Sequence, residues 1–257
     1  MDKERRYALE ARAAAAVSAL VRRLPRRWAL ALGRGLGRIW SDLDARHVAV
    51  AVDNLRHAFP HWDEARLRRT ARGVYVHFGQ ILIDLLWLEG RSREEIMRWV
   101  EPEGFGPEQA APGPKVMVTA HIGHWELHGI AHAWLASPMG VVARPLDNPA
   151  LDARLTALRA ASGNVVIEKR RALQQVLRLF REGMGVAFLI DQNVQEKDGV
   201  FVDFFGRPAA TTTVAAALAL KTGLPIVAGH TLLLPDGRYR LRYEPPLHWT
   251  PSGDRRA

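Results

Sequence analysis

The chain has no cysteine among its 257 residues. That excludes a disulfide framework and a thiolate metal site, and it fits a reducing compartment. It also lacks an apolar run of the ~20 residues that cross a bilayer. The most apolar early pieces, Ala13 to Val21 and Trp28 to Leu32, are interrupted by Arg22, Arg23, Arg26, Arg27 and Arg34. No small-residue cleavage site follows an apolar core, so neither a transmembrane helix nor a signal peptide is expected. There is no internal repeat, and no GxSxG pattern that would present a serine nucleophile. Acidic residues are in deficit: 36 Lys and Arg against 27 Asp and Glu leave a formal charge of +9. The surface should attract anions, whether nucleic acid, lipid headgroups or an acidic carrier protein.

What is present is ordinary globular material, 48% hydrophobic and 25% charged, enough for one large or two small domains. The first part reads as helical. Leu9, Ala13, Val17, Leu20 and Val21 make one stripe, and Trp28, Leu32, Leu36, Ile39 and Trp40 continue it beyond Pro25 among six arginines between Arg22 and Arg38. Indoles with guanidiniums are the composition of an interfacial helix on an anionic membrane. A third stripe is Val48, Val52, Leu55 and Phe59. Asp63 then caps a long helix carrying Leu67, Ala71, Val74, Phe78, Leu82 and Leu85, with Asp84 read as a solvated edge residue. Ser92 and Glu95 form a capping box. The Pro- and Gly-rich segment Glu101 to Pro114 is the expected boundary between a helical region, 1–100, and an α/β core, 101–257.

Within that core, strands and helices alternate. Val116 to Thr119, Gly140 to Ala143, Asn164 to Ile167 and Val186 to Ile190 read as strands. Helices run from Asn148-Pro149 to Ala161, from Arg171 to Arg181, and from Thr212 or Thr213 to Lys221. Pro225 to Leu233 and Arg238 to Tyr243 close the chain as a hairpin around Pro235-Asp236-Gly237. The expectation is a three-layer α/β fold, with a mostly parallel mixed sheet flanked by helices and antiparallel pairing late in the chain.

The stretch Lys115 to Ala131, KVMVTAHIGHWELHGIA, concentrates the chemistry. A short buried strand ends in a polar turn, placing His121 at the carboxyl end where open α/β sheets bind ligands. Glu126 follows in the first helical turn, so an imidazole and a carboxylate are expected to meet in one pocket. Neutral histidine suits proton abstraction from a hydroxyl, and a carboxylate steadies the imidazolium that forms. With no serine or cysteine nucleophile nearby, direct attack of a bound hydroxyl on an activated acyl group is the natural reaction. His124 and His128 are four apart but do not form HExxH, and they read as packing or hydrogen-bonding residues.

The stretch HIGHWEL resembles the HxxxxE signature of the bacterial lipid A late acyltransferase (lauroyl/myristoyl acyltransferase) family, within the wider HxxxxD/E acyltransferases. VARPLDNPALD (142–152), Asp191-Gln192 and VFVDFFGRPAATTT (200–213) match in the same order, so the resemblance spans roughly residues 10–247. It implies acyl transfer from a thioester, acyl carrier protein favoured, to a hydroxyl of a membrane glycolipid such as a lipid A precursor. His121 and Glu126 would be catalytic, no cofactor or metal would be needed, and the protein would work at the cytoplasmic face of the inner membrane, peripheral or monotopic. The alternative is an acyl-CoA enzyme for a phosphatidylinositol mannoside type lipid, whose members tend to carry Asp where this chain has Glu126. The family pattern continues past the last strand into a tryptophan- and arginine-rich block. This chain ends at Ala257 without it, and a naturally short or a truncated chain both fit.

Arg144, at a strand end, and Arg159, on the next helix, each suit a bidentate phosphate contact, and the resemblance favours Arg144. Asp191, beside Gln192, would bind a sugar hydroxyl, orient Arg144 or cap its loop. No EGTR-like block accompanies it, as it does in glycerolipid acyltransferases, which fits the lipid A branch better. The polar loop Val194 to Gly199 would close over substrate. Phe201, Phe204 and Phe205 read equally as core or as one wall of an acyl-chain tunnel. Two rivals remain: a non-catalytic basic membrane- or nucleic-acid-binding module, though no nucleic-acid motif stands out, and a metal-dependent hydrolase using His121, His124 and Glu126.

Overall fold

The computed structural model describes residues 2–168 and 172–247. The helix start expected at Arg171 and the chain end beyond Leu247 lie outside the described residues. The chain forms two compact units: residues up to Arg91 together with Val202–Ala209, and Ser92–Phe201 with the chain from Ala210 onward.

The first unit is built on helices α1 (Lys3–Val21), α2 (Arg26–Leu43), α3 (Ala45–Ala58) and α4 (Glu64–Leu88). Asp63 caps α4, accepting the Arg66 N–H at 2.6 Å. The closest packing is between α2 and α4, and glycine makes it possible. A methyl group at Gly33 would lie 2.6 Å from Gln80 Cα, and one at Gly79 would lie 2.4 Å from the Gly33 carbonyl oxygen. The backbones touch where side chains would hold them apart.

The helices leave much of the apolar stripes read in the sequence exposed. On α1 only Ser18 and Val21 are buried, while Leu9, Val17 and Leu20 are exposed. On α4, Leu67 and Ala71 are buried as expected, but Val74 and Leu82 face solvent. Asp84 is not a solvated edge residue. It is fully buried and receives two hydrogen bonds from the guanidinium of Arg26, one of them 2.9 Å from Nη2 to Oδ2. The Arg26 guanidinium also lies 5.0 Å from the Trp87 ring. A charge inside a small helical unit needs such a partner, because desolvation otherwise costs several kcal/mol.

The second unit runs α5 (Arg93–Met97), β1 (Val100–Glu103), α6 (Pro107–Ala110), β2 (Val116–Thr119), α7 (Trp125–Leu135), β3 (Met139–Ala143), α8 (Pro149–Ala160), β4 (Val165–Glu168), α9 (Ala172–Arg181), β5 (Gly185–Leu189), β6 (Gly199–Phe204), β7 (Arg207–Thr212), α10 (Val214–Thr222), β8 (Ile226–Leu233) and β9 (Tyr239–Tyr243). Seven strands form one sheet in the order β1-β9-β8-β2-β5-β3-β4, and β6 and β7 form a separate two-stranded ribbon whose tip belongs to the first unit. Every neighbour in the large sheet is parallel except the β8-β9 hairpin. The mostly parallel sheet with late antiparallel pairing is the expected one. The Pro- and Gly-rich segment differs: it opens with β1, an edge strand that pairs with β9, so it is part of the sheet.

The in-register row Val116, Val186 and Ile226 turns one way with Phe188 and Ile167. It packs against Val176, Leu179 and Phe180 of α9 and Leu218 and Ala219 of α10. The alternate row, with Met117 and Val227, faces α7, whose His128 ring leaves no space for a side chain at Gly229. Helices on both faces make the strands apolar throughout, as their sequences are.

Phe201, Phe204 and Phe205 are not core. All three stand more than half exposed on the ribbon, and Phe205 takes φ +53° at the turn. Its ring meets Phe59 edge-on at 5.4 Å, and Phe59 stacks on Trp62 at 4.1 Å.

Candidate active site

Strand register assembles the site. β2 and β5 are neighbours with Thr119 opposite Leu189, and the pairing continues with a hydrogen bond from the Ile190 N–H to the Thr119 oxygen. His121 and Asp191 each lie two residues beyond that last pair, so they emerge side by side at the carboxyl edge. His121 Nδ1 is 2.9 Å from Asp191 Oδ1, and Asp191 Oδ2 accepts the His121 backbone N–H at 2.8 Å. Both side chains are about one third exposed, 30% and 34%. Because a carboxylate only accepts, Nδ1 carries a proton, and in the neutral ring Nε2 then presents a lone pair.

The turn that carries His121 depends on Gly123. Its φ is +62°, and a methyl group there would lie 1.7 Å from the Thr231 carbonyl oxygen. Next, His124 caps α7: its backbone N–H donates to Thr231 Oγ1, and its ring accepts the Leu127 N–H at 3.2 Å. Chain reversal and helix start are thus fixed against β8.

Glu126 sits in the first turn of α7, as expected, but it does not reach His121. It is almost buried and accepts two hydrogen bonds from Arg159 on α8, 2.7 Å from Nε and 2.6 Å from Nη2. Burial disfavours the charge on Arg159, and the hydrogen bonds and charge of Glu126 more than offset it, so the pKa of the guanidinium is raised. Trp125 lies between the two acid–base systems. Its Nε1 donates to Glu126 Oε1 at 3.2 Å, and its ring meets the His121 imidazole edge-on at 4.8 Å. The expected His121–Glu126 couple is therefore two separate couples, His121–Asp191 and Glu126–Arg159.

These groups open on a cleft of about 1140 Å³. His121, Trp125, Glu126, Arg144, Arg159 and Gln192 supply its polar lining, and strand and helix residues such as Met117, Val141, Leu173 and Leu218 its apolar depth. Arg144, directly after β3, is exposed and has no ion-pair partner among the described residues. Arg159 is committed to Glu126, so the two arginines expected as alternatives stand in different settings, one paired and largely buried, the other exposed and unpaired.

His124, His128 and His132 are buried on one side of α7. His124 meets Tyr239 edge-on, and His128 and His132 meet Tyr243, whose hydroxyl lies 3.1 Å from His132 Nδ1. Burial, with the charges of His132 and His230, pushes the pKa of His128 down to about 3. Burial and the charge of Lys115 push His132 down to about 4. His128 and His132 are neutral packing residues. Among the described residues no three His, Asp or Glu side chains are grouped to hold a metal ion.

The family model described as bacterial lipid A biosynthesis acyltransferase matches residues 2–257. The chain belongs to the bacterial lipid A biosynthesis acyltransferase family. It is similar to the lipid A biosynthesis lauroyltransferase of Escherichia coli strain K12, 29% identical over 242 residues that cover 91% of this chain and 78% of that protein. It is also similar to two lipid A biosynthesis acyltransferases of Haemophilus influenzae. One is 24% identical over 80% of this chain and 66% of its own length, the other 30% identical over 74% and 62%. As a lipid A acyltransferase family member the chain is an enzyme of acyl transfer. The structure places His121, Glu126, Arg144 and Arg159 on one cleft, as the sequence leads one to expect, but the sequence does not show that Asp191 is the carboxylate at His121. Its only signal was an acidic residue directly after an apolar strand, and the pairing needs the register of β2 on β5.

Proposed function

We propose that the protein transfers a fatty acyl group from the thioester of acyl carrier protein to a hydroxyl of a membrane glycolipid, a lipid A precursor, at the cytoplasmic face of the inner membrane. The observation that carries the reading is the His121–Asp191 couple at the mouth of a largely apolar cleft. His121 Nε2 takes the acceptor hydroxyl proton while Asp191 holds the ring and steadies the imidazolium. The oxygen attacks the thioester carbonyl, the tetrahedral intermediate collapses, and the departing thiolate takes the proton back from Nε2. No covalent enzyme intermediate is required. Arg144 and Gln192 receive the anionic and polar parts of the substrates at the rim. Arg159 and Glu126 form the wall that orients them, and the net charge of +9 suits an acidic carrier and an anionic membrane.

The test is transfer of labelled acyl groups from acyl carrier protein and from acyl-CoA to purified lipid A precursor and to a mixed bacterial lipid extract, with wild type and His121→Ala. Labelled precursor from the carrier-protein donor, reduced ~10² to 10⁴-fold in the variant, is the expected result. Transfer only from acyl-CoA, to a mannosylated phosphatidylinositol, would replace this reading with the alternative one. Full activity in His121→Ala would overturn the mechanism.

A further inference from the structure

Helix α2 has three faces. The inner one is made of small residues: Ala29, Gly33, Gly37 and Ser41 are buried, together with Leu30 and the Asp84-paired Arg26. The outer one is a row of large apolar side chains, Trp28, Leu32, Leu36, Ile39 and Leu43, at steps of four, four, three and four residues, with 40% to 81% of each exposed. Such steps hold side chains on one line along a helix. The third face carries Arg27, Arg34 and Arg38, seven and four residues apart, and none of them has a carboxylate partner among the described residues. Asp42, the acid on this helix nearest to that row, is paired with Arg72 of α4.

Single exposed apolar residues are normal on a protein surface. Five in line on a helix whose other side is already packed form a contiguous patch that needs an occupant. We infer that this face of α2 docks on an anionic lipid bilayer, with the helix lying in the plane of the headgroups. The inference rests on the proposal that the acceptor is a membrane lipid. Three observations favour a bilayer. The row contains no hydrogen-bonding side chain apart from an indole, so it offers a protein partner little specificity, whereas acyl chains demand none. The free guanidiniums form a second row alongside, where lipid phosphates would lie. The helix is 18 residues, about 27 Å long, and amphipathic, and no described helix is long and apolar enough to cross a membrane. The tertiary structure also divides the arginines: Arg26, inseparable by sequence from its neighbours, is taken by Asp84.

The experiment is co-sedimentation of the full chain with vesicles of phosphatidylethanolamine, with and without phosphatidylglycerol, beside light scattering without lipid. Leu32→Glu/Ile39→Glu should keep the wild-type circular dichroism spectrum and lose at least about tenfold in vesicle binding, because two charges now meet the acyl boundary. Arg34→Gln/Arg38→Gln should lose the gain from phosphatidylglycerol and its sensitivity to salt. Wild-type binding in the glutamate variant would overturn the inference. So would a lipid-free dimer that this variant breaks, since the face would then belong to a second copy. Acyl transfer to acceptor in detergent micelles, measured in parallel, should be unchanged in both variants. Absence of micellar transfer by wild type would count against the proposed function and leave the vesicle result standing.

Discussion

The carboxylate of Asp191 holds His121 twice, at the ring Nδ1 and at the backbone N–H, from the neighbouring strand's end. Two contacts from one group fix both the position of the loop and the tautomer of the imidazole. Asp191→Asn keeps the shape but offers an amide where an acceptor is needed, so the reactive nitrogen is expected to be turned or protonated wrongly. We expect turnover to fall ~10² to 10⁴-fold with little change in thermal stability. Adding His121→Ala to Asp191→Asn should cost almost nothing more, because the two act as a unit. Steady-state transfer rates of the two single variants and the double variant measure this.

Glu126 and Arg159 should behave as a structural couple that faces substrate. Either Glu126→Gln or Arg159→Gln leaves a largely buried charge without its partner, which typically costs about 3–5 kcal/mol. The single variants should therefore unfold at clearly lower denaturant concentration. The double variant should recover part of that stability without recovering activity. A chemical denaturation series with parallel transfer assays separates the two effects, and unchanged stability in both single variants would remove the wall role.

Gly123→Ala tests the turn. The new methyl group would occupy the position of the Thr231 carbonyl oxygen, and φ +62° is unfavourable for alanine. We expect a loss of about 2–4 kcal/mol in stability and near-complete loss of transfer. Gly113→Ala is a useful control for a left-handed glycine: its φ is +124°, but no atom lies near the added group, so strain acts there without a clash.

Acid sensitivity should come from α7. His128 and His132 have folded pKa values near 3 and 4, below the ordinary 6.5. Between those values the unfolded chain binds protons that the folded chain refuses. Stability is thus fully present above about pH 6.5 and falls as pH drops toward 4, by ~1.4 kcal/mol per pH unit for each histidine. Urea midpoints measured from pH 7.5 to 4.5 should fall steeply in wild type. They should fall less in His132→Gln, which keeps a polar group near the Tyr243 hydroxyl without a titrating ring.

Much of this protein was legible as pattern. The apolar run before His121 and the alternation after it gave the strands, and Asp63, Ser92 and Asn148 marked helix starts where the caps are found. These signals are local, because a cap or a buried strand is decided within a few residues. Strand β1 was hidden for the same reason: Val100–Glu103 is short, polar and interrupted by Pro102, and only its place beside β9 makes it a strand.

The sequence by itself determined which chemical groups gather at the carboxyl edge of the sheet, since residues that follow buried parallel strands have nowhere else to emerge. The tertiary structure alone decided how they pair. Register set Asp191 beside His121, and the packing of α8 against α7 gave Glu126 to Arg159. The contact of α2 with α4 likewise buried Arg26 on Asp84 and left Trp28, Leu32 and Ile39 outside. Ion pairs form between groups distant in the chain, and their energies depend on separation and burial, which spacing along the sequence does not encode.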